Sequence, residues 1–244
     1  MNHPKRRTVL VALAAAASNR AIAFDRAVRG SGRVVTERRP ASGFDRLSIS
    51  GSFRVEIRQG ALESVELSGD DNLLALVETS LEGAAGAATL RIRPKDDAQL
   101  EPTQPLRVRI DLMRLSAIDI GGASQVTASG LHATRLGVSI GGTGGVDLAD
   151  LEAERLAINI GGSGRVSADG RAGALAVNVG GSGDCSLSRF VVEEAKVSIA
   201  GSGKAEVSVS KQLTVSIAGS GLVTYTGAAV PRVSIVGSGK VQRG

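Results

Sequence analysis

Residues 156–166 of the chain read LAINIGGSGRV, and this stretch decides the fold. Ile158 and Ile160 are β-branched and flank the polar Asn159, an alternation of period two that predicts a strand with one buried face. The Gly-Ser-Gly at 162–164 predicts a tight corner, after which apolar residues resume. A glycine-rich turn that binds phosphate opens a helix, whereas another strand follows this one. The stretch therefore predicts a structural corner and no phosphate or dinucleotide site.

The same pattern recurs through the second half of the chain. Four and two residues before each corner the side chain is β-branched and aliphatic, and the residue between them is Ser, Asn or Asp. We call the first glycine of each corner an anchor. Consecutive anchors lie 18–20 residues apart: Gly122, Gly142, Gly162, Gly181, Gly201, Gly219 and Gly237. The corner glycines are predicted to serve backbone geometry, through a positive φ and the close stacking of neighbouring corners.

A unit of this length has room for two or three short strands separated by corners, and for no helix. One unit cannot bury its own apolar face, whereas stacked units bury a continuous core and pair every strand with its equivalents. The repeat therefore predicts an all-β fold, a parallel β-helix or β-solenoid. Its expected hand is right, because parallel crossover connections are right-handed.

The first part of the chain is less regular. We expect one solenoid domain at 24–244, with an irregular N-terminal part at 24–115 and seven regular repeats at 116–244. Within the irregular part, LSISGSFRV at 47–55 keeps the offsets of the repeat, and RGSGRV at 29–34 predicts a still earlier unit.

Residues 56–115 hold pieces of different kinds. Asp71 or Asn72 as an N-cap and Gly83 as a stop predict a short helix over 70–83. A polar loop that contains prolines follows at 95–105. Strand-like segments are predicted at 64–69, 89–94 and 106–112.

The N-terminus has the composition of an export signal. The basic KRR at 5–7 precedes the apolar run TVLVALAAAA, and the small residues AIA follow at 21–23. This order predicts a signal peptide at 1–23 and an exported chain that begins at Phe24, without a transmembrane segment. An ordinary N-terminal helix and a retained anchor are the alternatives. The arginine pair leaves both the general secretory and the twin-arginine routes open.

The charge of the chain argues against one class of partner. The chain carries 29 basic and 24 acidic residues, but four basic ones lie in the predicted signal peptide, which leaves 25 against 24. No basic cluster interleaved with aromatic residues remains, so nucleic acid is not an expected partner. Apolar residues make up 42% of the chain and Trp is absent, which indicates a globular core of Val, Ile, Leu and Ala.

Few residues carry the chemistry of a catalytic or metal site. Cys185 stands four residues after the anchor Gly181, where most units have Val. We call this position and the two apolar positions before each corner the inward columns. There Cys185 is predicted to be a buried, unreactive hydrophobe. His132, the one histidine after residue 23, is predicted at the surface. A calcium-binding corner needs an aspartate that here stands one position early, at Asp184, and other corners carry Arg or Lys. We therefore predict no catalytic, cofactor-binding or metal-binding residue and expect no cofactor.

Paired carboxylates are the remaining enzymatic candidate. Enzymes that cleave polysaccharides on β-helices need carboxylates at a set separation, or a base beside metal-binding aspartates. Asp70–Asp71 and Asp96–Asp97 are close acidic pairs, and a helix cap and a solvated loop explain them more simply. A β-helical carbohydrate-active enzyme, either a polysaccharide lyase or a hydrolase, is therefore the alternative function.

Several motifs together carry a family resemblance. They are GSGRV at 30–34, FDRLSISGSFRVEI at 44–57, GDDNLL at 69–74 and the serial V-x-I-x-G-S-G units, behind a signal-like N-terminus. Over most of 28–244 the chain resembles the putative auto-transporter adhesin, head GIN domain family. The resemblance implies a β-helical protein of the bacterial envelope, or one secreted from the cell, without established catalysis.

These observations lead to one expected function. The chain is expected to be an exported, non-enzymatic β-solenoid, a structural or adhesin-like interaction module of the bacterial cell envelope. It would act in the periplasm, at the cell surface or outside the cell. The expected partner is an envelope protein or a glycan that contacts the rigid outer faces, and self-association through the ends of the solenoid is a further expectation.

Overall fold

The computed structural model describes residues 27–84 and 87–244, and of Asp97 only the backbone. The predicted signal peptide at 1–23 and the predicted new N-terminus at Phe24 lie outside the described residues. The helical elements of the described residues are one α-helical turn, α1 (Asp71–Leu74), and a 3-10 turn at Lys95–Asp97. The strands are, in chain order, β1 (Val28–Arg29), β2 (Val34–Arg38), β3 (Phe44–Ile49), β4 (Arg54–Gln59), β5 (Ser64–Asp70), β6 (Val77–Glu82), β7 (Ala88–Pro94), β8 (Leu100–Glu101), β9 (Arg107–Leu112), β10 (Ala117–Ile120), β11 (Gln125–Ser129), β12 (His132–Ile140), β13 (Gly145–Ile160), β14 (Arg165–Val179), β15 (Asp184–Gly201), β16 (Lys204–Gly219), β17 (Leu222–Thr226), β18 (Val230–Gly237) and β19 (Lys240–Arg243).

The repeats stack as parallel coils, and each coil pairs with those above and below it. Ile158 of β13 lies beside Val138 of β12 on one side and Val177 of β14 on the other. All three side chains are fully buried in one continuous core. The period-two alternation produces this core because every second residue of a strand faces the same side. The predicted fold, a parallel β-solenoid, is confirmed.

Within a coil the strands are longer than expected. β15 is 18 residues long and reaches from one Gly-Ser-Gly corner to the next. The bends of a coil that lie away from its Gly-Ser-Gly corner are register shifts within a continuous strand, for example between Leu148 and Leu151. The strand continues because its backbone stays paired with the neighbouring coil around the bend. Gly170 stands opposite Leu151 at φ +118°, where a Cβ would overlap the carbonyl of Leu151. The prediction of two or three separate strands in each unit is therefore wrong for the central coils, where β13 to β16 are continuous. It holds in the first and last regular coils, where β11 and β12, and β17 and β18, are separate.

The irregular N-terminal part supplies the first two coils of the stack. β3 and β4 lie directly beneath β10 and β11, with Ile49 beside Ile120. β7 and β9 form a further coil beneath β3 and β4, with Leu47 beside Leu90. The coil at 44–59 thus lies between two coils that both follow it in the sequence.

Antiparallel strands close the N-terminal end of the stack. β5 pairs antiparallel with β2 and β9, and β6 pairs antiparallel with β7. The helical turn α1 packs Leu73 and Leu74 into the core beside them. Together β2, β5, β6 and α1 form a cap, which pairs the outer edges of β7 and β9 and leaves β2 and β6 as the edge strands.

The helix expected over 70–83 is wrong beyond its first turn. α1 ends at Leu74, and its N-cap is Asp70 instead of Asp71 or Asn72. The following residues form β6 because β7 offers them a complete ladder of backbone hydrogen bonds. Tertiary pairing here overrides the local preference for helix.

The unit expected at 29–34 is also wrong, because these residues cross the cap and form no coil. β1 pairs with β8, and β2 is antiparallel to β5. Gly30 has a different role from the anchors, since a Cβ on it would overlap the carboxylate of Asp70. Four residues before Gly30 stands Arg26, where the coils have Val, Ile or Leu. A Gly-Ser-Gly without the preceding apolar alternation therefore does not specify a coil.

The C-terminal end of the described chain has no such cover. β18 pairs with β16 alone, and β19 pairs with β17 alone. Val233 and Ile235 occupy the inward columns but are 46% and 39% exposed. The last coil therefore presents both an unpaired strand edge and part of the apolar core.

Candidate functional site

The corners are held by backbone hydrogen bonds between coils. The amide of Ser163 donates to the carbonyl oxygen of Gly142 at 3.1 Å, and the equivalent bond forms in each regular coil. A Cβ on Gly162 would stand 2.5 Å from that same oxygen. Close stacking is therefore what all seven anchors share. A positive φ holds at three of them: Gly201, Gly219 and Gly237.

The second glycine of each corner is packed against an aliphatic side chain one coil below. A Cβ on Gly203 would stand 2.6 Å from Cγ1 of Val179 and 2.8 Å from the carbonyl oxygen of Gly183. Ser124 replaces this glycine in the first regular coil, which lies above Phe53 instead of another glycine. Its buried hydroxyl donates to the Gly51 carbonyl at 3.1 Å and accepts from the Phe53 amide at 3.0 Å. These contacts are structural and leave no ligand position at the corner.

Cys185 is buried between Val166 and Ala205, its neighbours in the coils below and above. Burial, helped by the nearby charge of Asp184, raises the pKa of the thiol to about 12. A thiol of this pKa does not form the thiolate that nucleophilic chemistry needs. The side chain packs as a small hydrophobe.

Asp70 joins three parts of the cap. Its buried carboxylate accepts hydrogen bonds from the Gly32 amide at 2.7 Å, the Thr103 amide at 2.9 Å and the Thr103 hydroxyl at 2.8 Å. Burial acts to raise the pKa of Asp70, but these hydrogen bonds outweigh it and hold the pKa below its ordinary value. Asp71 is engaged separately by the Ser31 hydroxyl at 2.6 Å. The first acidic pair is therefore structural, and Asp96 of the second lies exposed in the 3-10 turn.

A groove of about 760 Å³ crosses one face of the regular coils. We call it the glutamate groove, because Glu152, Glu154 and Glu193 line it together with His132 and Arg171. This cluster was not predicted from the sequence. The repeat length would have revealed part of it, because residues one repeat apart are neighbours in a solenoid.

Most charges of the glutamate groove are paired. Glu152 contacts Arg171 at 2.5 Å and His132 at 3.4 Å, and Glu193 contacts Lys211 at 2.6 Å. His132 is exposed, as predicted. In residues 27–84 and 87–244 no group of His, Cys, Asp and Glu side chains is placed to hold a metal ion. The groove is a polar surface with mixed charge.

A second groove, of about 680 Å³, lies where the cap meets the first coils. We call it the arginine groove, because Arg54 and Arg107 are direct neighbours on β4 and β9 within it. Ser68 stands beside Arg107, and Gln125 stands beside Arg54. Two exposed guanidinium groups and two uncharged polar groups thus form one row across four strands.

One face of the regular coils presents a column of small polar side chains. The polar residue between the inward columns forms a ladder along the coils, and Nδ2 of Asn178 donates to Oδ1 of Asn159 at 3.0 Å. Phe44, Phe53 and Phe190 are buried. Tyr225 is partly buried, so among the described residues no row of exposed aromatic side chains forms a platform on which sugar rings could stack.

The fold and these surfaces define a class of protein, a parallel β-solenoid with polar, rigid outer faces and an aliphatic core. A comparison with family models places the chain within that class. The chain belongs to the family described as "Putative auto-transporter adhesin, head GIN domain", whose model matches residues 43–229. The family resemblance stated from the sequence motifs is confirmed.

Solved structures share the fold at low sequence identity. A "putative adhesin" from Bacteroides fragilis has a TM-score of 0.83 and 19% identity, and the match covers 88% of this chain and 99% of that one. A "Putative lipid binding protein" from Parabacteroides distasonis has a TM-score of 0.73 and 23% identity, with 90% and 100% covered. A "putative adhesin" from Parabacteroides merdae has a TM-score of 0.70 and 19% identity, with 89% and 98% covered. These likenesses show a shared fold.

A search of curated proteins found no match to the chain. Among the described residues, no helix has both the length and the apolar character needed to cross a membrane.

Proposed function

We propose that the chain is an exported, non-enzymatic interaction module of the bacterial cell envelope, with a structural or adhesin-like role. The observation that carries this proposal is the stack of coils itself. Backbone hydrogen bonds connect each coil to the next at the Gly-Ser-Gly corner, and paired strands connect the remainder. A surface held in this way is preorganised, so binding of a partner loses little conformational entropy from this chain.

Membership of the adhesin family supports the envelope assignment. The partner we propose is an envelope protein or a glycan, bound at an outer face or groove. The polar surface of mixed charge fits such a partner, because interfaces of non-obligate complexes are polar at their rim and use hydrogen bonds for specificity.

Export is part of the same proposal. We infer that residues 1–23 are a signal peptide and that cleavage after Ala23 leaves Phe24 as the N-terminus. Intact-mass analysis of the protein from fractionated cells should give the mass of 24–244. Recovery from the envelope of a chain that still carries residues 1–23 would favour a retained anchor instead.

A binding experiment tests the central claim. The purified chain, immobilised through a C-terminal tag, is incubated with solubilised envelope proteins and, separately, with a glycan array. We expect saturable retention of a defined protein or glycan. Heat-unfolded chain on the same support is the control, because binding by presented faces requires the folded solenoid.

The alternative, cleavage of polysaccharides, is tested on the same preparation. Release of reducing ends or of an unsaturated product from a polysaccharide panel would support the enzyme and contradict the module. The glutamate groove supplies the variant, since no basic side chain pairs with Glu154 among the described residues. If activity were found and Glu154→Gln abolished it, the groove would be an active site.

A further inference from the structure

The arginine groove holds a charge arrangement that the fold does not require. Arg54 and Arg107 face each other on adjacent parallel strands, and both side chains are exposed. Strands of one sheet lie about 4.8 Å apart, so the two cations repel each other directly. Neither has a carboxylate within ion-pair distance in the described part of the chain.

The acidic residues of the groove are already engaged elsewhere. Glu56 contacts Arg58 at 2.6 Å and Arg109 at 3.7 Å. Glu66 contacts Arg38 at 2.9 Å. The row that contains Arg54 and Arg107 thus keeps its positive charge. The next row of the sheet, in which Glu56 and Glu66 pair with arginines, is nearly neutral.

The neighbours of the arginine pair are hydrogen-bonding groups. Ser68 lies next to Arg107 with its hydroxyl near that of Thr36, at 3.2 Å, and Gln125 lies next to Arg54. The apolar lining residues Val55 and Val108 are buried beneath the row. The groove therefore offers two cations and several neutral polar groups, with no exposed apolar side chain to enter a membrane.

We propose that Arg54 and Arg107 together bind an oxyanion, a uronate carboxylate or a sulfate ester, of an acidic glycan that lies along the arginine groove. Guanidinium groups match the two acceptor oxygens of such a group in bidentate geometry. Ser68, Thr36 and Gln125 supply partners for the sugar hydroxyls beside it. This inference rests on the proposed function and names the chemistry of the partner.

A bound anion changes the balance of charge at the pair, and the polar row beside it distinguishes this pair from the other exposed arginine neighbours, Arg135 and Arg155. An anion between the two guanidinium groups converts their repulsion into two attractions. Removing the pair should therefore weaken binding of the anion without lowering the stability of the free protein. Arg54→Gln with Arg107→Gln should lose the anion but leave the melting temperature of the free protein unchanged or raised.

Binding is measured by calorimetry on the purified chain at low salt. The probes are polygalacturonate for the carboxylate, dextran sulfate for the sulfate ester, and neutral dextran. We expect one or both acidic glycans to bind and neutral dextran not to bind. Affinity should weaken as salt is raised to about 0.15 M, where charges are screened within about 8 Å.

The chain offers a matched control. Arg135 and Arg155 are also exposed cross-strand neighbours without an ion-pair partner among the described residues, and they lie outside the arginine groove. Arg54→Gln with Arg107→Gln should weaken binding of the acidic glycan by about tenfold or more, the scale of a lost charged hydrogen-bonded pair. Arg135→Gln with Arg155→Gln removes the same charge and should leave the affinity within a factor of about two.

Several results would overturn the site. Equal losses in both double variants would mean that net charge alone attracts the glycan. Arginine-dependent binding of phosphatidylglycerol vesicles or of polyglutamate, without binding of either acidic glycan, would assign the groove to a membrane or a protein. Retention of envelope material by the wild type and by Arg54→Gln with Arg107→Gln alike would keep the proposed function and refute this site. Failure of the wild type to retain anything would refute the proposed function itself.

Discussion

At the scale of single residues, the second glycine of each corner is enclosed by the coil below it. Gly203 does not have a positive φ, contrary to the expectation from its position in the corner. Contact with Val179 and the Gly183 carbonyl excludes a side chain there instead. The middle serine, by contrast, is exposed. The two positions of one corner should therefore respond very differently to substitution.

Gly203→Val should destabilise the protein by more than about 1 kcal/mol, because overpacking of a tight interior typically costs about 1–3 kcal/mol. Ser202→Ala keeps the backbone and should cost well under about 1 kcal/mol. Urea denaturation of both variants measures the difference. A neutral Gly203→Val together with a damaging Ser202→Ala would mean that the hydroxyl maintains the corner, and would reopen a ligand role for the serines.

Cys185 should not react in the folded protein. The residue is 2% exposed and its thiol has a pKa of about 12. A thiol reagent therefore cannot reach the sulfur, and the reactive thiolate does not form. A chromogenic disulfide should label it after addition of denaturant, at the rate of a free cysteine. Rapid labelling of native protein would show that the residue does not occupy the inward column.

Asp70 should make the cap sensitive to acid. Its pKa is lower in the folded state than its ordinary value, so its carboxylate stabilises the fold above an unfolded pKa of about 3.9 and loses that effect as pH falls through the folded pKa. Asp70→Asn should lower the urea midpoint at pH 7, and the gap to wild type should narrow below about pH 4. Asp119→Asn, on the exposed polar ladder, is the control and should change little. A gap that is constant with pH would contradict the role of the carboxylate.

At the scale of elements, the regular coils could be predicted because their information is local. The alternation before a corner is visible in one short segment such as 156–166, and the fixed spacing of the corners is visible in a few consecutive units. The bends opposite the corners were missed because a bulged ladder has no sequence motif beyond isolated glycines such as Gly170. The helix over 70–83 was overestimated because β6 forms only in the presence of β7, which no local pattern reveals.

The edge strand β18 is the element most exposed to new pairing. Pro231 lacks an amide donor and Lys240 of β19 adds charge, and both features discourage a second chain from pairing with such an edge. Replacing Pro231 and Lys240 together with Val should promote oligomers joined through their ends. Sedimentation velocity over a range of concentrations measures this. A monomer at every concentration would show that the edge is protected by other means.

At the scale of the whole molecule, the candidate sites differ in how far the sequence could have revealed them. The contact between Glu152 and Arg171 follows from the repeat, because the two residues are 19 positions apart. The contact between Arg54 and Arg107 does not, because it requires β9 to lie beneath β4, against the order of the chain. Long-range order of coils is decided by which apolar surfaces bury each other, and that choice is not encoded in a short segment.

The interleaving of the first coils also bears on the order in which the chain can fold. The coil at 44–59 finds both of its neighbours only in later residues, and its contact from Asp45 to Ser116 spans 71 positions. Closing such a loop costs entropy before stacking repays it, so we expect it to be slower than the addition of later coils. Every coil after 132 meets its neighbour about twenty residues back and can add to the stack as soon as it is available. The coil at 44–59 can therefore gain its first neighbour only when residues 88–112 are present and its second only when residues 117–129 are, after which the remaining coils can add in order toward the C-terminus.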